Sequence, residues 1–337
     1  MPRRTDCILS RHNTSVRVSS VTKYRLPGSV AKIYKKYPRK ILESQDKFSL
    51  NKIIFQEIFF GYKMQKQLIF VLGMHRSGTS TLTRALACLG VDIGKKTQGR
   101  FDNPKGFFED EDFVALNQKL LQTLDVPWDS LKSIESEKLM DLASGELGDA
   151  AKYFLNERCQ DNIPLALKDP RASRLFIFWR RCAEELHFGV HCLISLRHPL
   201  SCADSLLKRD AMPREKSLVF WLSCMQDCLR TSEFLPRLVV AYDRLLDYPD
   251  RELQRIGYFL QREVSSEKVK IFLSTFLDSS LRHHKYGLEG TKNQILSHAM
   301  RLYSALDDCS VSLDPQVFQC ARLKRLAAYP LCDSYVL

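Results

Sequence analysis

The chain has 337 residues, 45% hydrophobic and 27% charged, the balance of a folded globular protein of one large or two small domains. That composition excludes a largely disordered chain or a fibrous repeat, and apolar runs like residues 68–72 fall far short of the roughly 20 residues a membrane span requires. The formal charge of +12 is local: residues 1–66 carry 15 Lys and Arg against 4 Asp and Glu, leaving a nearly neutral body, which argues against an extended nucleic-acid-binding face.

Residues 1–66 read as a basic N-terminal arm. Within residues 1–40, 11 basic side chains stand against Asp6 alone, among several Ser and Thr. This is the composition of a disordered tail, with an organelle transit peptide or a tether to a membrane surface as alternatives. Residues 50–62 are more apolar and read as a helix that docks on the body. The N-terminus has no apolar core of a secretory signal. The 11 cysteines are scattered, with no CxxC pair and no Cys/His cluster at zinc spacing. They read as buried thiols of a reducing compartment, so a cytoplasmic location is expected, and no metal site is.

From Gln67 onward the pattern is α/β. Residues 68–72 form a short continuous apolar run, as expected of a strand buried on both faces. A Gly-rich turn follows, then Leu82, Ala85, Leu86 and Leu89 at helical spacing. Phe113, Leu116, Leu120, Leu121 and Leu124 predict a second helix, with an acidic run, residues 109–112, at its positive end. Residues 125–150 read as polar loop with some helix. A second strand is predicted at 163–167, and a helix through Leu175, Trp179, Cys182 and Leu186. A third strand is predicted at 190–196, a long helix through Leu218, Trp221, Met225 and Leu229, a fourth strand at 238–242, and a helix through Leu253, Ile256 and Leu260. This alternation predicts a parallel, doubly wound sheet. Residues 292–337 read as helical.

Two turns carry chemistry. The first, Gly73-Met-His-Arg-Ser-Gly-Thr-Ser80, joins a strand to a helix, where backbone N–H groups and the helix dipole converge on an anion. Its glycines have Walker A spacing, but Thr79 stands where the Walker lysine belongs and the cation is Arg76. The second is Arg197-His-Pro-Leu-Ser-Cys-Ala-Asp-Ser205. Ser201 and Asp204 have the character of a helix cap and its third position, predicting a helix start at 200–202. Arg197 and Ser205 can then face one anion.

With these motifs in this order, residues 67–285 resemble the sulfotransferases that use 3′-phosphoadenosine-5′-phosphosulfate (PAPS). Arg76-Ser-Gly-Thr-Ser80 is similar to the family's 5′-phosphosulfate loop, and an Arg followed eight residues later by a Ser is its 3′-phosphate site. Asn103-Pro-Lys-Gly-Phe-Phe-Glu109 and Lys168-Asp-Pro-Arg171 resemble the bacterial-type and Golgi-type branches. Tyr242-Asp-Arg-Leu245 resembles the turn after the last core strand, and Leu281-Arg-His-His284 a closing segment.

The resemblance implies a three-layer, P-loop-NTPase-like α/β domain over 67–291, with 292–337 as a C-terminal extension. It implies PAPS as co-substrate, held by His75, Arg76, Ser77, Gly78, Thr79, Ser80, Arg197 and Ser205. The acceptor it implies is a hydroxyl, a carbohydrate first and a protein tyrosine or small metabolite as alternatives. The catalytic histidine of the cytosolic branch is absent, since Asp169 and Pro170 follow Lys168. Glu109 is the expected base by the order of the Golgi-type branch, with Asp169 the runner-up. Lys168 and Arg76 are expected to neutralise developing charge, and Lys105 and Arg171 to contact an anionic acceptor. His283 and His284 are expected to flank donor or acceptor, while His187, His191 and His298 are structural or exposed. A P-loop kinase and a non-catalytic nucleotide-binding protein are the competing readings; oligomeric state is left open.

Overall fold

The computed structural model describes residues 66–95, 108–160, 162–275 and 294–311. Outside the described residues lie the arm up to residue 65, the apolar stretch 50–62, residues 103–107 with Lys105, the segment 281–284 with His283 and His284, and residues 312–337.

Four parallel strands form one sheet in the order β2-β1-β3-β4: β1 Gln67–Leu72, β2 Leu165–Lys168, β3 Gly189–Leu196 and β4 Arg237–Ala241. The central strand shows why its sequence is apolar at every position. Leu68, Phe70 and Leu72 point into one core, and Ile69 and Val71 into another, because successive side chains of a strand face opposite ways. The sheet is therefore the middle of three layers. On one face pack α1 (Thr79–Leu86), α9 (Pro249–Leu260) and α10 (Ser266–Thr275). On the other pack α2 (Glu111–Thr123), α3 (Ser136–Ala143), α4 (Glu146–Arg158), α5 (Ala172–Glu185), α6 (Pro199–Asp210), α7 (Arg214–Thr231) and α11 (Gln294–Cys309). A short helix, α8 (Tyr242–Asp247), follows β4 directly.

The alternation of strand and helix is as the sequence predicts, with differences of detail: β4 ends at Ala241 and Tyr242 opens α8, and α8 and α10 are not predicted. β2 starts at Leu165, and Ile163 is exposed and joined to Gln160 by an isolated bridge. Residues 125–150 hold more helix than expected, since α3 fills 136–143 and α4 starts at 146. The eight cysteines among the described residues are all buried free thiols: 88, 159, 182, 192, 202, 224, 228 and 309. No described helix is long and apolar enough to cross a membrane.

Register decides what the sheet presents. Val71 pairs with Lys168, and Leu72 pairs with Ile194. The carboxyl ends of β1, β2 and β3 thus lie side by side. There the turn after β1, Lys168 at the end of β2 and Arg197 just past β3 meet.

Candidate active site

The turn after β1 has left-handed backbone at Arg76 (φ 67°) and Gly78 (φ 91°), and Gly73 sits at φ 146°. A Cβ on Gly73 would lie 2.8 Å from Ser77 Oγ and 3.0 Å from the Ser195 carbonyl; one on Gly78 would lie 2.2 Å from the Tyr242 ring. Only glycine fits either place. The Gly73 N–H donates to Ser173 Oγ (2.8 Å), whose hydroxyl donates back to the Gly73 carbonyl (3.0 Å). Ser195 Oγ donates to the Ser77 carbonyl (2.8 Å). So β3 and α5 hold the turn rigidly. Gly78 is the N-cap of α1 and supplies no side-chain acceptor, which leaves the first-turn N–H groups to other partners.

The second turn is joined to the first. Arg76 Nε donates to Ser205 Oγ (2.8 Å), and Arg197 Nη1 donates to the Arg76 carbonyl (2.9 Å). The Arg197 guanidinium lies over the Tyr242 ring at 4.6 Å, and its own carbonyl accepts from Trp221 Nε1 (3.2 Å). The helix start differs from expectation. α6 begins at Pro199, and its cap is His198, whose Nδ1 accepts from the Leu200 N–H (3.3 Å). Proline at the first helical position fixes φ where no N–H is needed, so the helix starts before Ser201 can cap it. Ser201 is buried in the first turn and Asp204 pairs with Arg214.

Lys168 and Glu109 meet on the other side of α1's N-terminus. Lys168 Nζ donates to Glu109 Oε1 (2.6 Å) and Ser80 Oγ (3.2 Å). The acidic run 109–112 divides its labour. Asp110 caps α2 by accepting from Asp112 N–H (3.1 Å) and Phe113 N–H (3.3 Å), and Glu111 and Asp112 stand exposed in its first turn. Phe108, at φ 52°, turns the chain so that Glu109 faces inward. Asp110 also accepts from the Lys95 N–H (2.9 Å) and from Arg158 Nε (3.2 Å), fixing this segment to α4. Burial pushes the Glu109 carboxyl above its ordinary range, against the pull of the Lys168 charge. Burial likewise lowers Lys168. The two shifts have one cause, the cost of keeping either charge out of water.

Asp169 is fully buried and fully engaged. Its oxygens accept from Asn117 Nδ2 (2.8 Å), from the Arg171 N–H (3.0 Å) and from Arg171 Nε (2.9 Å). Asn117 in turn accepts from Trp179 Nε1 (2.7 Å). This network holds Arg171 in place.

His75 packs against Trp128 (centroids 4.7 Å) and Phe220 (6.2 Å). Burial, reinforced by Arg209, Arg171, Lys168 and Arg76, holds its pKa well below the usual histidine value, so the ring is neutral. His187 is exposed, and His191 and His298 are buried. Among the described residues no group of three His, Cys, Asp or Glu is arranged to hold a metal ion.

The sequence reading passed over Asn117, Ser173, Ser195, His198 and Tyr242 as parts of the site. Asn117 left a signal, a polar residue inside the apolar stripe of α2, and so did His198, through the proline that follows it.

No family model matches the chain, and no curated protein matches it. Among solved structures the fold is similar to the sulfotransferase domain from the Synechococcus PCC 7002 olefin synthase, at 16% identity and a TM-score of 0.44 over 72% of this chain and 96% of that one. It is also similar to the sulfotransferase domain from the curacin biosynthetic pathway, at 15% identity and a TM-score of 0.38 over 78% of this chain and 96% of that one.

Proposed function

We propose that the chain is an O-sulfotransferase that takes a sulfuryl group from PAPS to an acceptor hydroxyl, a carbohydrate hydroxyl in the first instance. The observation that carries this reading is the joining of the two turns through Arg76–Ser205 and Arg197–Arg76. Together they offer two guanidinium groups and the open start of a helix to one ligand, as a nucleotide with phosphates at both its 5′ and 3′ positions requires. Ser77 Oγ is buried and without a hydrogen bond among the described residues, which suits a loop completed by a phosphate oxygen.

On this reading His75, Arg76, Ser77, Gly78, Thr79 and Ser80 hold the 5′ side and Arg197 and Ser205 the 3′-phosphate. The donor supplies the activated sulfuryl group. Lys168 Nζ and Arg76 offset negative charge on the departing phosphate, a role for prepositioned cations in a site shielded from water. Glu109 takes the proton from the acceptor hydroxyl on a carboxylate oxygen; its raised pKa makes it a stronger base than an exposed glutamate. The carbohydrate preference follows the resemblance of 103–109 and 168–171 to glycan-modifying branches. The reading uses no metal ion. The buried thiols favour a reducing, cytoplasmic setting. Residues 67–291 would form the sulfotransferase domain, after the basic arm 1–66.

Calorimetric titration tests the reading. Adenosine 3′,5′-bisphosphate should bind tightly without metal, and ADP and ATP with Mg²⁺ much more weakly. Preference for ATP with Mg²⁺ would overturn it in favour of a kinase.

A further inference from the structure

The C-terminal helix α11 reaches the Arg197 turn by two routes. The Tyr303 ring packs edge-on against His198, with centroids 5.1 Å apart at 63°. His198 follows Arg197 and is the cap of α6, the helix that carries Ser205. One turn further along α11, Asp307 Oδ2 accepts from Arg244 Nη2 (2.9 Å) and Oδ1 from Arg244 Nε (3.3 Å). Arg244 belongs to α8, whose first residue, Tyr242, sets its ring beneath the Arg197 guanidinium. The cap beside Arg197 and the ring under it are thus both anchored on α11. Residues 303 and 307, four apart, lie on one helix face.

α11 is suited to be a fixed post. Ala299, Leu302, Ala305, Leu306 and Cys309 are buried in the core that also holds β1 and β3. Those apolar residues account for its docking. Asp307 adds little to it, because a partly exposed ion pair contributes at most about 1 kcal/mol to stability.

We propose that α11 is a working part of the donor site. Tyr303 and Asp307 are positioning residues that hold Arg197 and Ser205 in register for a 3′-phosphate, and so set the preference for a 3′-phosphorylated nucleotide. The inference rests on the donor site proposed above.

Calorimetry on the full chain tests it, with adenosine 3′,5′-bisphosphate and adenosine 5′-monophosphate as the two probes. Tyr303→Ala should weaken the bisphosphate about tenfold and the monophosphate less than about twofold. Tyr303→Phe, which keeps the ring, should restore the wild-type ratio. Asp307→Asn, on a partly exposed pair that the fold does not depend on, should lower the ratio about threefold. Equal loss for both probes in Tyr303→Ala and Asp307→Asn would reduce α11 to a structural helix. An unchanged ratio in both variants would overturn the proposal alone. Equal binding of the two probes by the wild type would overturn the Arg197/Ser205 donor site and the proposal with it.

Discussion

The two halves of the site handle positive charge differently. On the Arg197 side the guanidinium is held by a carbonyl and the face of a ring, and Arg76 donates to a hydroxyl. The carbonyl and the ring orient the Arg197 guanidinium without placing a carboxylate against it. On the Lys168 side the ammonium is buried against a carboxylate at 2.6 Å, and the pair is nearly neutral as a unit. On the function proposed above, the first half would hold the donor's phosphates and the second would take up the acceptor's proton.

Four measurements break or sharpen this contrast. The largest effect is expected for Glu109→Gln, which should lower turnover by roughly 10²–10⁴-fold while leaving donor affinity intact. A matching loss of donor affinity would erase the distinction between the halves. Next, Arg197→Ala or Arg76→Ala should each weaken the bisphosphate nucleotide by about 1.5–3 kcal/mol in calorimetry, the cost of a lost charged hydrogen bond.

The third measurement lies outside both halves and calibrates them. His191 in β3 is buried against Phe259, and burial lowers its pKa from 6.5 to about 4. The folded state therefore binds fewer protons than the unfolded state between these values, and stability is present above pH 6.5 and lost as pH falls toward 4. The loss should total about 3 kcal/mol in denaturation curves, and His191→Phe should flatten it. The smallest effect is expected for Gly78→Ala. Its methyl group would press on Tyr242, lowering stability by about 2 kcal/mol and weakening bisphosphate binding, with the Lys168–Glu109 pair untouched.

Much of the fold was legible because burial on both faces leaves no choice of residue. Residues 68–72 are apolar throughout, and 190–196 are apolar apart from His191 and Ser195; both are central strands. The glycines and Arg76 were legible for a related reason: a turn packed this tightly against Ser195 and Tyr242 admits few side chains. The partners were not. Lys168 and Glu109 are 59 residues apart, and nothing local to either announces the other; the register of β1 with β2 places Lys168, and the contacts of Asp110 with Lys95 and Arg158 place Glu109. His198 went unseen as a cap because histidine is not among the residues that usually serve there, and the proline after it was the better clue. α4 was passed over although Leu147, Ala151, Phe154 and Leu155 stand at helical spacing, and Ala151, Phe154 and Leu155 are buried.

The buried thiols have a consequence beyond compartment. β3, α5, α6, α7 and α11 each hold at least one cysteine shielded from solvent, with Cys202 in the helix behind Arg197 and Cys309 at the end of α11. A shielded thiol reacts with an alkylating reagent only when its surroundings open. The chain thus carries its own set of reporters, in the sheet and in the helices that cover one of its faces. The order in which Cys202 and Cys309 become reactive, with and without nucleotide, reads out which parts of the molecule breathe together.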